Sequence, residues 1–432
     1  MKQKATKRVT AANALLELNY WQNQTTNELS SARENAKERF LQLGCPLPND
    51  EYWKFSSPQR FTSPDLVGGN DALSFQLPKD RTKDEIRLTF VDGSLKRDLS
   101  DLTDLPSYIE IVCMRDEIGI KQDWIKGLYG TLESKSHKQV KRPLAAFNTA
   151  CASDGVFIRV KKNTSKKIII YYIATKPNFD SIVHNLVKVE NDSGITLIEK
   201  GEGSRRSSRV TEVDLLAGGT LNHIRFFGND PTADFHSQVF VRQAVKSTYN
   251  EFSLVINNEY IRNEFYVSLE GEKAKVSLSG ANLARQKNVQ DDTIFIAHLR
   301  PECESRQVFK KVLTDEASGI FQGKIFVTPD AQKTDGYQIS KGLLLGDEAK
   351  FLTKPELEIY ADDVICSHGS TCGAIDEEIL FYLTSRGVQK KEAIGMLILA
   401  FLDESIQEIE SDELASEIRD ALLMRSENDR VE

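Results

Sequence analysis

The sequence predicts a mainly β protein flanked by helical segments at both ends. Three observations carry this. A long central stretch is a succession of short β-rich runs at roughly ten-residue spacing, punctuated by Gly, Asn and Asp. The first 44 residues are dense in Ala, Leu, Glu and Gln, with no proline before Pro46. Beyond residue 375 the apolar residues return to helical spacing.

Residues 9–44 read as helical, and Gly44, Pro46 and Pro48 stop the helix. The polar, turn-rich stretch Ser56–Asp84 reads as a linker, so 1–85 forms an N-terminal helical region. From 86 to 370 short strands dominate. Two-residue alternation is plain in Phe321, Gly323, Ile325 and Val327, and in Ala274, Val276 and Leu278. Spacing alone leaves a sandwich, a barrel and a β-solenoid open. From 371 to 432 a C-terminal helical domain follows. Asp376 is a suitable N-cap for a helix through Arg386, with Gly387 just past its end. A second helix, Lys390 to Leu402, carries the stripe Ile394, Leu397, Ile398 and Phe401; a third, Asp412 to Met424, carries Leu414, Ile418 and Leu422.

The net charge of −8 excludes a general nucleic-acid binder, which needs a basic surface to neutralise phosphates. Eleven carboxylates and three arginines lie between Asp403 and Glu432, so this tail accounts for the whole imbalance and suits a basic partner. Six cysteines in 432 residues make no disulfide framework and fit a reducing cytoplasm. The basic residues up to Arg8 are followed by no apolar signal core. The longest apolar run, Ala393–Leu402, is too short to span a bilayer, so no membrane association is expected.

The sharpest chemistry is Cys366-Ser367-His368-Gly369, with Cys372 beyond it. On a strand Cys366 and His368 share a face, and thiolate and imidazole both ligate iron. These residues do not complete a four-ligand metal site, so a partner chain or a distant residue must contribute. On spacing alone, a small buried Cys and a hydrogen-bonded His are the commoner explanation. His298 with Cys303 is a weaker pair, expected to be structural. Gly319–Ile325 fails as a phosphate loop: three residues separate its glycines, and Ile stands where Ser or Thr would bind magnesium. The basic clusters Lys161–Lys167 and Arg205–Arg209 are expected to be solvated turns. The carboxylate pairs Asp291-Asp292 and Asp362-Asp363 are expected in surface turns. The stripe Ile394–Phe401 serves equally to close a core or to dock a partner, with core favoured.

The segment from Lys354-Pro355 through Glu358, Tyr360-Ala361-Asp362-Asp363 and Cys366-Ser367-His368-Gly369, continuing into Asp376-Glu377-Glu378 and Phe381-Tyr382-Leu383, resembles the SufB/SufD family. Its Cys-Ser-His-Gly version resembles the D-type members. Phe147-Asn148-Thr149-Ala150, Ser305-Arg306-Gln307, Lys333-Thr334-Asp335-Gly336 and Glu51-Tyr52-Trp53-Lys54 fit the same family. The resemblance implies a right-handed parallel β-helix core between helical domains. It implies a non-catalytic scaffold in a complex with SufB and the ATPase SufC, assembling iron–sulfur clusters. In the family the His matching His368, beside the Cys matching Cys366, is implicated in a nascent cluster shared with SufB. No cofactor is then held tightly by the isolated chain; the cluster is transient. SufC would dock on the C-terminal helices, turning Ile394, Leu397, Ile398 and Phe401 towards it. Whether the chain pairs with itself when alone is open. The competing class is a carbohydrate-active enzyme on a β-solenoid, which needs carboxylates or basic residues clustered in an open groove, and a secretion signal.

Overall fold

A computed structural model describes residues 2–19, 28–63, 77, 82–175, 180–228, 232–409 and 411–428, with side chains from residue 7 to 423. Most of the expected linker Ser56–Asp84 lies outside the described residues. Its first part is ordered, with a short helix at Gln59–Thr62.

The core is a parallel β-solenoid. The chain forms two sheets, one of ten strands and one of nine, and from Val156 onwards it alternates between them, so that each strand pairs with the strand two positions further along the sequence. Sheet one ends Lys275–Ala284, Glu304–Leu313, Asp335–Leu344 and Ile365–Gly373. Sheet two ends Tyr260–Leu269, Val289–His298, Ser318–Val327 and Lys350–Ile359. The registers are unbroken along these rungs. Alternation sends one set of side chains inward, including Leu278, Phe309, Phe265, Ile294 and Phe321, and the other set outward.

The turns from sheet two to sheet one form a column of left-handed residues: Asp192, Gly218, Lys246, Lys273, Glu302 and Lys333. Each donates its backbone N–H to a carbonyl in the corresponding turn of the next rung, as Lys246 does to Glu272 and Glu302 to Gln332, both at 2.9 Å. Only Gly218 takes this conformation without steric cost, so the ladder holds the other five.

The lumen is not purely apolar. Arg209 bonds Glu199 at 2.9 Å and lies 3.2 Å from the centre of the Tyr172 ring. His223 Nδ1 pairs with the Tyr249 hydroxyl at 2.9 Å, and Arg225 bonds Glu251 at 2.9 Å and Ser237 at 2.8 Å. Asp292 accepts from Asn263, Asn282 and Lys311. These groups are all buried. The Arg205–Arg209 cluster is therefore no solvated turn: Arg206 grips Asp180 with two bonds and Arg205 reaches Glu259 at 3.1 Å. Nor are Asp291 and Asp292 in a surface turn. Alternation does send them to opposite faces, Asp292 inward and Asp291 outward to Arg262. The Lys161–Lys167 cluster matches its expectation at Lys161 and Lys162, which are exposed.

Helices cover the outward faces. The N-terminal helices Lys2–Asn19 and Ser30–Leu43, with Pro143–Cys151, pack through Phe40, Phe147 and Leu15 towards Leu186, Val210 and Phe240 of sheet two. Phe147-Asn148-Thr149-Ala150 lies on this last helix, and Asn148 bonds the Ser208 carbonyl at 3.0 Å. Trp53 lies over buried Arg262 at 4.0 Å, while the Tyr52 carbonyl accepts from the same guanidinium at 2.8 Å. Short helices at Asp123–Leu128 and Thr131–Ser136 were not legible as such. The second is anchored by Glu212, which accepts from the backbone of Gly130, Leu132 and Glu133.

The buried carboxyls give the fold a pH signature. Burial pushes Glu251 up to about 7 against the pull of Arg225. Between about pH 4.5 and 7 the folded chain keeps a proton there that the unfolded chain has released. This contribution is complete below 4.5 and is lost as pH rises through 7. His298 acts oppositely: burial holds it down to about 3, so its contribution is present above 6.5 and lost on acidification. We predict that Glu251→Gln makes stability rise more steeply, or fall less, between pH 5 and 7 than in wild type, by at most about 1.4 kcal/mol per pH unit. Thermal melts of both proteins across this range check it; parallel curves contradict it.

Candidate functional site

The two ends of the solenoid differ. At the N-terminal end, Ser94–Leu95 runs antiparallel to Glu85–Val91, and Ile109–Cys113 antiparallel to Val156–Val160. At the other end, Ile365–Gly373 and Lys350–Ile359 are the last strands of their sheets, with no described strand beyond them. Each offers an unpaired backbone edge, which is a template for another chain.

The register places the motif on this edge. Gly336 pairs with Cys366, Gln338 with His368, Ser340 with Ser370 and Gly342 with Cys372. Gln338 and Ser340 continue the inward columns of Leu278 and Phe309, so Cys366, His368, Ser370 and Cys372 share the lumen-side face of the last rung. With no rung above them, His368 and Cys372 are exposed and Cys366 is half-buried. Cys366 packs against the buried cluster of Ile325, Val327, Ala331 and Ala361. A Cβ on Gly336 would sit 3.1 Å from its sulfur, so this glycine gives the thiol its seat. Burial raises the Cys366 pKa, outweighing the backbone hydrogen bond involving Gly336, and so favours the protonated thiol.

Cys366 and His368 thus stand on one face, as strand alternation predicts. Cys372 lies on that face too, two positions past Ser370. Among the described residues no group of three or more His, Cys, Asp or Glu is placed to hold a metal. His298 and Cys303 are core residues, as expected. His298 Nε2 meets the Ser305 hydroxyl at 2.8 Å, and Cys303 Sγ donates to the Gly271 carbonyl at 3.2 Å. Gly319–Ile325 lies within the strand Ser318–Val327, away from any helix start.

The C-terminal helices begin beside this end. Asp376 caps Glu377–Ser385 by accepting from Glu378 at 2.9 Å and Ile379 at 3.1 Å, and Gly387 takes φ +91°, both as expected. Helix Lys390–Ile406 and helix Asp412–Asn428 lie on the outward face of sheet one, burying Leu402, Ile406, Leu414, Ile418 and Leu422 against Ile198, Phe252, Leu254 and Val312. The acidic tail meets its own solenoid: Arg306 pairs with Glu408, Lys310 and Lys341 with Glu404, Lys167 with Glu413, and Lys200 with Glu417.

The stripe divides. Ile398 and Phe401 pack partly into this interface, and Lys310 lies 4.6 Å from the Phe401 ring. Ile394 and Leu397 stay half-buried outside it. Beside them Ile379, Phe381, Tyr382 and Met396 are exposed. Sequence reading missed these four. For Ile379, Phe381 and Tyr382 the signal was the unbroken apolar run Ile379–Leu383, five residues that no single helix face can bury.

Thiol reactivity checks the placement. Cys45, Cys113, Cys151 and Cys303 are buried, while Cys366 and Cys372 are not. Brief alkylation of the native chain followed by peptide mapping should label Cys372 first, then Cys366, and leave the other four intact. Labelling of Cys303 at the rate of Cys366 contradicts the assignment.

The chain matches two family models in tandem: the SufBD protein N-terminal region over residues 17–170, and the SUF system FeS cluster assembly SufBD core domain over residues 172–401. It is 28% identical over 395 residues to the iron–sulfur cluster assembly protein SufD of Escherichia coli, covering 88% of this chain and 89% of that protein. A SufBD family protein of Synechocystis is 26% identical over 422 residues, covering 92% and 91%. One from Pyrococcus horikoshii is 27% identical over 286 residues, covering 64% and 63%.

Proposed function

The chain belongs to the SufB/SufD family of iron–sulfur cluster assembly proteins, and from that premise we propose that it is the D-type scaffold of a cytoplasmic complex, sharing a nascent cluster with a SufB-type chain across its open solenoid end. The observation that carries this reading is exposed His368 beside half-buried Cys366 on an uncapped edge. Two ligands on one strand face begin a site and do not complete it. A second solenoid pairing with the same edge would satisfy its backbone groups and bring further ligands to the same face. Iron and sulfide are cargo here. His368 would bind iron through a ring nitrogen, and Cys366 through its thiolate once the incoming cation displaces the proton.

A second surface supports an ATPase partner. Ile379, Phe381, Tyr382 and Met396, with half-buried Ile394 and Leu397, form an apolar patch on helices that begin next to the open end. A SufC-type subunit bound there would act on Ile398 and Phe401 through the same helix. The chain offers no phosphate loop of its own, so ATP hydrolysis falls to that subunit. The competing solenoid carbohydrate enzyme needs paired carboxylates facing a groove. Asp291 and Asp292 are buried on opposite sides of one strand, which disfavours it.

Co-expression with SufB- and SufC-type partners tests the proposal. In the anaerobically purified complex, His368→Ala should remove most of the iron and acid-labile sulfide while leaving the subunits associated. Unchanged loads would reduce this chain to a structural arm.

A further inference from the structure

Two of the six cysteines can be reached from outside, and both stand on the open edge. Cys372 is exposed and Cys366 half-buried, while the other four are buried. On one strand the two lie about 20 Å apart, because each residue advances about 3.3 Å, so a single chain cannot join them. Their strand is symmetric about its midpoint. Ile365–Gly373 has Gly369 at its centre, with Cys366 and Cys372 equally far on either side and His368 and Ser370 flanking it. All four of these side chains share the lumen-side face. The Ile365 N–H donates to the Thr334 carbonyl at 2.9 Å, so by alternation the backbone groups of Cys366, His368, Ser370 and Cys372 turn to the free edge.

The two free edges are not alike. Lys350–Ile359 carries Pro355, which has no N–H to donate, and the charged residues Lys350, Lys354, Glu356 and Glu358, features that keep an edge from pairing. Ile365–Gly373 has no proline, lysine, arginine or carboxylate. An edge without them is a template for another copy of itself. We propose that it forms a redox site between two copies of this chain: the strands pair antiparallel in full overlap about Gly369, and Cys366 of each protomer bonds the partner's Cys372. Full overlap sets Cys366 opposite the partner's Cys372 and His368 opposite the partner's Ser370, on one face. These are hydrogen-bonded positions, where facing Cα atoms lie about 5.5 Å apart, within the range that disulfides span. The oxidant is a low-molecular-weight disulfide. The exposed Cys372 thiolate attacks it, forming a mixed disulfide and releasing one thiol; the partner's Cys366 thiolate attacks the Cys372 sulfur and releases the second. For each bond two protein thiols are oxidised, the small disulfide is reduced to two thiols, and the protons leave with them. A lone strand pair is marginal in water, so the covalent bonds hold the oxidised pair together and reduction frees the edge. That the cross-link withholds the edge from a SufB-type chain rests on the proposed function; the cross-link itself does not.

The test exposes the purified native chain to oxidised glutathione, quenches it with N-ethylmaleimide, and reads covalent dimer on non-reducing gels with peptide mapping of the bond. Wild type should yield a dimer joined through Cys366 and Cys372 that dithiothreitol dissolves. Cys366→Ser and Cys372→Ser should each lose the dimer when oxidised alone. An equimolar mixture of the two variants should regain it, because one of the two cross-pairs survives, and this also shows that both variants fold. No covalent dimer in wild type, a dimer of Cys366→Ser joined through Cys372 alone, or a mixture that stays uncrosslinked overturns the inference. The oxidised dimer should not bind a SufB-type chain until it is reduced. Binding of that chain to the intact dimer would sustain the cross-link and remove the proposed meeting of the two chains at this edge.

Discussion

Backbone pairing between rungs is the constraint on which the rest depends. In a parallel solenoid each strand satisfies its N–H and C=O groups only through the rung before and the rung after it. Past a register shift between Asn163 and Lys167 the interior rungs meet this condition with unbroken registers, and the turns meet it through a column of left-handed residues that few side chains adopt unaided. The ends cannot meet it in the same way. Antiparallel strands and helices close the first rungs, whereas the last rung keeps two free edges and places Cys366 and His368 on one of them. The chemistry sits where the ladder stops.

The lumen explains why that last rung keeps its register. Asp292 with Lys311, Glu199 with Arg209, and Glu251 with Arg225 are buried pairs. Such pairs add little net stability over apolar packing. A one-residue slip would turn each partner to the opposite face and strand a charge, so the pairs penalise misregistration more than they strengthen the fold. Outside, the acidic tail lies along the basic residues of sheet one. Each of these pairs is partly exposed and individually weak. Apolar packing by Leu402, Ile406 and Ile418 holds the helices in place, and the charges align them.

Much of this was legible in the sequence. Two-residue alternation gave the strands and put Cys366 and His368 on one face, and Asp376 and Gly387 marked a helix at both ends. The closure of those strands into a solenoid was not legible from spacing, because sandwiches and barrels share the same local period; the family resemblance supplied it. The Arg205–Arg209 cluster and Asp291-Asp292 were misplaced for one reason. Charge density marks the surface only when the partners are solvent, and here the partners, such as Asp180 and Arg262, lie on other strands. The stripe Ile394–Phe401 was drawn as a single face. Helix Lys390–Ile406 instead divides it, because the buried line runs through Ala393, Leu402 and Ile406.

Hydrogen exchange on the last rung tests the central claim most directly. Backbone amides in Lys350–Ile359 and Ile365–Gly373 would be followed in the isolated chain and in complex with a SufB-type partner. The account predicts that amides facing the free edge exchange quickly in the isolated chain and become protected in the complex, while the interior rung Glu304–Leu313 is protected in both. A complex that forms with the edge amides still exchanging quickly would place the partner elsewhere and contradict it.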